Sequence, residues 1–187
     1  MYCAKVEIRV TYWVPPVADI DIGAIPIDRG AREISGRTQV DKNNPANASG
    51  ILHTVKIYLA DYTEGIVVGT FYTTNGNTLK CRDSEAIGAL EGGKHTLTDL
   101  SITVVEGDYI GCYFTFGSLD ASDSGFAGLW HVEGEHIDPN DEATYELLAG
   151  DAISLYGYGD IEAPPVGQPY ISRVQRIAGM KTIGVNL

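Results

Sequence analysis

The stretch 98–117, TDLSITVVEGDYIGCYFTFG, constrains the chain more than any other. Leu100, Ile102 and Val104 alternate with Ser101, Thr103 and Val105, the period of a strand with one buried face. Gly107-Asp108 breaks the run, and Tyr109 to Phe116 then resumes it with aromatic and β-branched residues on both faces. Two strands joined by a tight turn are expected, the second buried in or between sheets.

The same grammar recurs along the chain. Val6, Ile8, Val10 and Tyr12 alternate with polar residues until Pro15-Pro16 ends the strand. Ile20 and Ile22 oppose Asp19 and Asp21, whose charges would discourage pairing along an edge. Strand-sized runs follow at 33–40, 52–60, 66–74, 78–82, 96–105, 109–116, 126–133 and 152–158. Residues 41–50, DKNNPANASG, have turn chemistry throughout and read as a surface loop. Asn75-Gly76-Asn77 lies between two strand patterns and predicts a hairpin of the type I′ kind. Residues 139–149 fit either a helix with Pro139 in its first turn or strand and irregular structure, and the β surroundings favour the second.

The fold class expected is all-β: a two-sheet antiparallel β-sandwich, jelly-roll-like, with extended N- and C-terminal segments. Its parts are an N-terminal arm (1–16), a sandwich body (17–162) and a tail behind Pro164-Pro165 (163–187). One echo crosses the body. Gly107-Asp108 with Ile110 and Tyr113 recurs as Gly150-Asp151 with Ile153 and Tyr156, as if each sheet held one copy.

Charge narrows the partners. The net charge is −12; three basic and no acidic residues stand from Val166 onward, so the rest carries −15. Such a field repels phosphate backbones, which argues against nucleic acid. No apolar run approaches the roughly 18 residues of a membrane helix, and no secretory leader pattern precedes the first strand. Cys3, Cys81 and Cys112 are an odd set without metal-ligand spacing, so free thiols are expected. The tail combines Arg173, Arg176 and Lys181 with apolar residues such as Ile177, a composition suited to docking on another copy or another protein.

Chemical motifs are sparse. The sequence holds no nucleophile elbow, no zinc-protease helix and no phosphate loop, and no enzymatic activity or cofactor is expected. Asp120, Ser122, Ser124 and Gly125 occupy the first, third, fifth and sixth places of a calcium loop, with Asp123 between them. The twelfth place holds His131 instead of Glu, so Ca2+ would be a weak ligand for Asp120 and Asp123. His131, Glu133 and Glu135 would share a strand face, with His136 opposite. Trp130 reads first as a packing residue. Beside the acidic loop, and with Tyr113, it would alternatively offer a sugar platform.

The runs IDIGAIPIDRG, VDKNNPANASGILHTVKIYLA, VVEGDYIGCYFTFG, SGFAGLW and AGDAISLYGYG, together with the tail ISRVQRIAGMKTIGVNL, resemble β-rich structural proteins of tailed phages and environmental viruses. The resemblance implies a virion component, such as a capsid decoration, head-fibre or tail-associated protein, whose partners are its own copies and other virion proteins. It carries over no catalytic residue. The competing expectation is a carbohydrate-binding module.

Overall fold

A computed structural model describes residues 19–161. Its strands are β1 (Ile20–Gly23), β2 (Ala31–Ile34), β3 (Arg37–Asp41), β4 (Gly50–Leu59), β5 (Thr63–Asn75), β6 (Thr78–Leu90), β7 (Gly93–Leu97) and β8 (Ile102–Val104). They continue as β9 (Tyr109–Tyr113), β10 (Ser118–Ser122), β11 (Leu129–Glu133), β12 (Glu142–Thr144), β13 (Glu146–Leu148), β14 (Ala152–Ile153) and β15 (Leu155–Ile161). No helix occurs among the described residues, so 139–149 is turn and short strand, in line with the favoured reading of strand and irregular structure. The N-terminal strand expected around residues 5–13, the tail, and Cys3 lie outside the described residues.

The strands form two antiparallel sheets. An open sheet runs β1-β15-β4-β10-β14, with β2 on β10 and with β7 and β8 along the other edge of β4. The second sheet runs β12-β6-β5-β9-β3-β11-β13. Only Tyr145 separates β12 from β13, yet β12 pairs β6 at one rim and β13 pairs β11 at the other. The segment 142–148 therefore bridges both rims, and the sheet rolls up until it is nearly a barrel.

Rolling buries both faces of β3, β9 and β11 and of the middle of β5. Ile66, Val68, Ile110, Cys112, Phe114 and Leu129 meet Ile20, Ile22, Leu52, Val55, Ile57 and Leu59 of the open sheet in the larger core. Alternate residues point into the roll, where Val40, Phe71, Leu79, Cys81, Trp130 and Tyr145 pack around Ile137 of the loop after β11. Tyr109 and Tyr113 border this inner cluster while Ile110 and Cys112 belong to the outer one, which explains why β9 is apolar on both faces.

Several boundaries differ from expectation for local reasons. The run at 33–40 is two strands in different sheets, broken at Ser35-Gly36, where Gly36 has φ 82. Residues 96–105 divide between β7 and β8 because Asp99 turns the backbone with φ 64. β8 and β9 do not form a hairpin. Their Gly107-Asp108 turn carries the chain from the open sheet to the rolled one. The echo at Gly150-Asp151 does fall in the opposite sheet, and Ile110 and Ile153 are both fully buried. In the β5–β6 hairpin Gly76 alone of the two central residues has positive φ, so the turn is of the II′ kind rather than I′.

Bulges at His53 and Arg82, among several register shifts, reset which faces are buried. His53 has no partner on β15, which shifts burial in β4 from Leu52 and Thr54 to Val55, Ile57 and Leu59. Arg82 has none on β5, and beyond it Asp83 and Glu85 face β8. Their carboxylates accept the Thr103 and Ser101 amides at 2.7 and 2.9 Å, capping that sheet edge. Arg82 donates from Nη2 to Asp108 Oδ1 at 2.9 Å and from Nε to Oδ2, and the Val105 amide also donates to Oδ2 at 2.8 Å. Asp108 is 2% exposed, so this pair ties the β8–β9 crossover to β6.

Candidate docking corner

Ile20 pairs Gly159, and Ile161 pairs Gly50. The start of β1 and the end of β15 are thus antiparallel neighbours. The segments before residue 19 and after residue 161 therefore join the body at one corner. A groove of about 470 Å³ opens beside this corner between Ile51, Val105 and Ile161, with Thr103 and Asp160 on its walls. Ile51 and Val105 are more than a third exposed.

The loop expected at 41–50 shapes this corner. Its side chains do not simply face solvent. Asn47 Oδ1 accepts the Asp21 amide at 2.9 Å and its Nδ2 donates to Asp19 O at 3.2 Å. Asn44 Nδ2 donates to Asp21 Oδ1 at 2.7 Å, and the Gly23 amide donates to Asn44 O. Ala46 is buried beneath them. The free edge of β1 is therefore closed by asparagines, and the acids alone do not protect it. Asn44 reaches these partners through φ 46, a conformation asparagine tolerates better than most residues.

The other predicted residues scatter. Trp130 is 3% exposed, inside the roll; its Nε1 donates to Asn77 Oδ1 at 3.0 Å, and Tyr109 meets its ring edge-on at 4.9 Å. Trp130 packs, as first read, because β11 turns its even-numbered side chains inward, and the alternative of a surface sugar platform at this residue is corrected. Tyr113 is half-buried against the same inner cluster. Asp120 lies within β10, 5% exposed, and Asp123 lies on the turn beyond it. The first place of the supposed calcium loop is thus extended strand, which cannot wrap around an ion as a calcium loop does. Arg173, Arg176, Ile177 and Lys181 lie outside the described residues.

The 131–136 cluster also separates. Glu133 pairs with Arg37 at 2.6 Å. The strand ends before Glu135, which instead joins Asp138 and Asp141, with carboxylate oxygens within 4.8 Å of one another. Exposed acidic groups of this kind commonly occur without an ion, and the three carboxylates alone assign none.

Sequence reasoning missed a polar patch inside the larger core. Gln39 and Asp41, two apart on β3, are fully buried, and His131 stands opposite Gln39 in the register at 9% exposure. Gln39 Oε1, Asp41 Oδ2 and His131 Nδ1 have no hydrogen-bond partner among the described residues. Burial raises the Asp41 pKa from 3.8 to about 7, against the opposing pull of its bonds from Asn43 and of nearby Arg29. Burial also raises Glu33, and Asp151 adds to it. The signal in the sequence was polar residues at alternate positions of TQVD, indistinguishable there from an exposed face.

Comparison of the chain with protein families, with curated proteins and with solved structures gives no match. What the chain can do must be argued from its own residues.

Proposed function

We propose that the chain is a non-enzymatic structural protein of a virus particle, held to neighbouring subunits through its two terminal segments and presenting its β-body outward. The jelly-roll likeness and the virion setting belong to this proposal. The observation that carries it is the corner: both terminal segments join the body on adjacent strands, next to a groove with exposed Ile51 and Val105. One corner can then be gripped while the far loops stay free. Charge complements this arrangement, since residues 166–187 carry +3 and the rest of the chain −15. The partners are other copies of the chain and other virion proteins.

Deleting residues 166–187 tests the proposal. Native mass measurement should show that assembly is lost while the urea unfolding midpoint of the body is kept. Assembly that survives the deletion refutes anchoring by the tail.

A further inference from the structure

The irregular chain at 24–30 folds over the outer face of the open sheet and makes a cleft of about 680 Å³. That volume is within the roughly 300–1,000 Å³ of small-ligand sites. Ile25, Ile27 and Arg29 come from this chain segment, Lys56 from β4, Lys94 from β7, Tyr156 from β15 and Phe126 from the loop before β11.

Polarity here is inverted relative to the rest of the body. Residues 19–161 contain 8 basic and 23 acidic residues, yet three of those cations line this cleft against one carboxylate, Asp21. Asp21 is already bonded by Asn44. Lys56 and Lys94 join no ion pair among the described residues. Arg29 is fixed in advance: Nε donates to Ser154 Oγ at 2.9 Å, Nη2 donates to Ile25 O at 2.7 Å, and its guanidinium lies 4.8 Å from the Phe126 ring centre.

Apolar and aromatic surface accompanies the charge. Ile25 is 66% exposed, and Ile27 and Phe126 are also exposed. From Tyr156 an aromatic row continues to Tyr158 at 6.4 Å and on to His53 at 5.3 Å, with Lys56 Nζ 4.9 Å above the Tyr158 ring.

An occupant must therefore be an anion with apolar faces. β1 offers an extended peptide no open edge, since it is bonded to β15 on one side and to the Asn44–Asn47 loop on the other. A purely apolar segment would leave three cations desolvated without partners. Nucleic acid is opposed by the field of the surrounding acids. A sugar ring offers a C–H face to Tyr156 and Phe126, and an acidic sugar adds a carboxylate for the cations.

We propose that this cleft binds an acidic oligosaccharide, with Tyr156 and Phe126 against its ring faces and Arg29, Lys56 and Lys94 on its carboxylates. The proposal stands apart from docking at the corner, because Arg29, Lys56, Lys94, Phe126 and Tyr156 do not line the groove beside Ile51 and Val105, although Asp21 and Asn44 border both the cleft and the corner.

The test is an array of uronic- and sialic-acid oligosaccharides with neutral oligosaccharides of equal length, followed by titration of hits with the full chain. Binding should favour acidic members and weaken as salt rises. Lys56→Ala with Lys94→Ala, both at partly or fully exposed positions, should weaken it by about tenfold or more at an unchanged unfolding midpoint. Tyr156→Phe should retain stacking, and Tyr156→Ala should lose it. No acidic member bound, equal binding of neutral members, capture of an acidic peptide in place of sugars, or indifference to the double lysine change would each overturn the assignment.

Discussion

Replacing Asp41 by asparagine should change how stability depends on pH. The wild-type carboxyl is fully buried, with Oδ1 bonded by the Asn43 amide and side chain and Oδ2 without a partner. Its pKa rises from 3.8 to about 7 because burial penalises the charged form. The folded state therefore holds this proton more tightly than the unfolded chain. As pH rises from about 4 to 7 the unfolded chain ionises first, and stability falls across that window before levelling off. At about 1.4 kcal/mol per tenfold change, the full displacement corresponds to a loss of about 4 kcal/mol. Asparagine keeps the acceptor for Asn43 and cannot ionise. Its unpartnered amide adds a cost that does not vary with pH. Glu33 and Asp151, also raised, contribute slope to both proteins, so the difference between them isolates Asp41. Urea unfolding at half-unit steps from pH 4 to 8 gives that difference directly. It should swing by several kcal/mol in favour of the variant as pH rises. A flat difference would refute the buried-charge argument.

Three further substitutions probe the packing. Trp130→Ala empties the centre of the roll and should cost about 3–5 kcal/mol in urea unfolding, with oligosaccharide binding at the cleft preserved wherever the fold persists. Asp108→Ala strips Arg82 of both bonds and Val105 of its acceptor, and should cost about 3 kcal/mol by the same assay, because a buried ion pair is broken from one side. Gly111→Ala would put a Cβ 2.5 Å from Gln39 O and 2.8 Å from the Phe71 ring, so the central strand must shift. It should lower the thermal midpoint by about 4–8 °C, which corresponds to about 2 kcal/mol for a domain of this size; an unchanged midpoint would contradict the close strand packing at β9.

Much of the fold could be read locally. Alternation placed Ile20 and Ile22, then Val55, Ile57 and Leu59, then Ile102 and Val104 on buried faces, and each is at most 1% exposed. Partner choice was less legible. A Gly-Asp turn looks the same whether it closes a hairpin or passes the chain to another sheet, and here it passes β8 to β9. Segment 142–148 exchanges one strand partner for another across the single residue Tyr145, and no periodicity records that exchange. The packing role of Trp130 was legible but its place was not, since a residue on the outer face of a flat sheet becomes interior once the sheet curls. The strand 83–90 went unread because its bulge at Arg82 turns acids toward β8, where they serve as hydrogen-bond acceptors. The cleft was illegible for a simpler reason: Arg29, Lys56, Lys94, Phe126 and Tyr156 come from five separate segments.

The most direct test of assembly through the termini is native mass spectrometry of the full chain beside a 19–161 fragment, with circular dichroism of both. The fragment should remain β-folded and monomeric, while the full chain forms defined oligomers. A fragment that oligomerises as the full chain does, or a full chain that stays monomeric at every concentration, would contradict it.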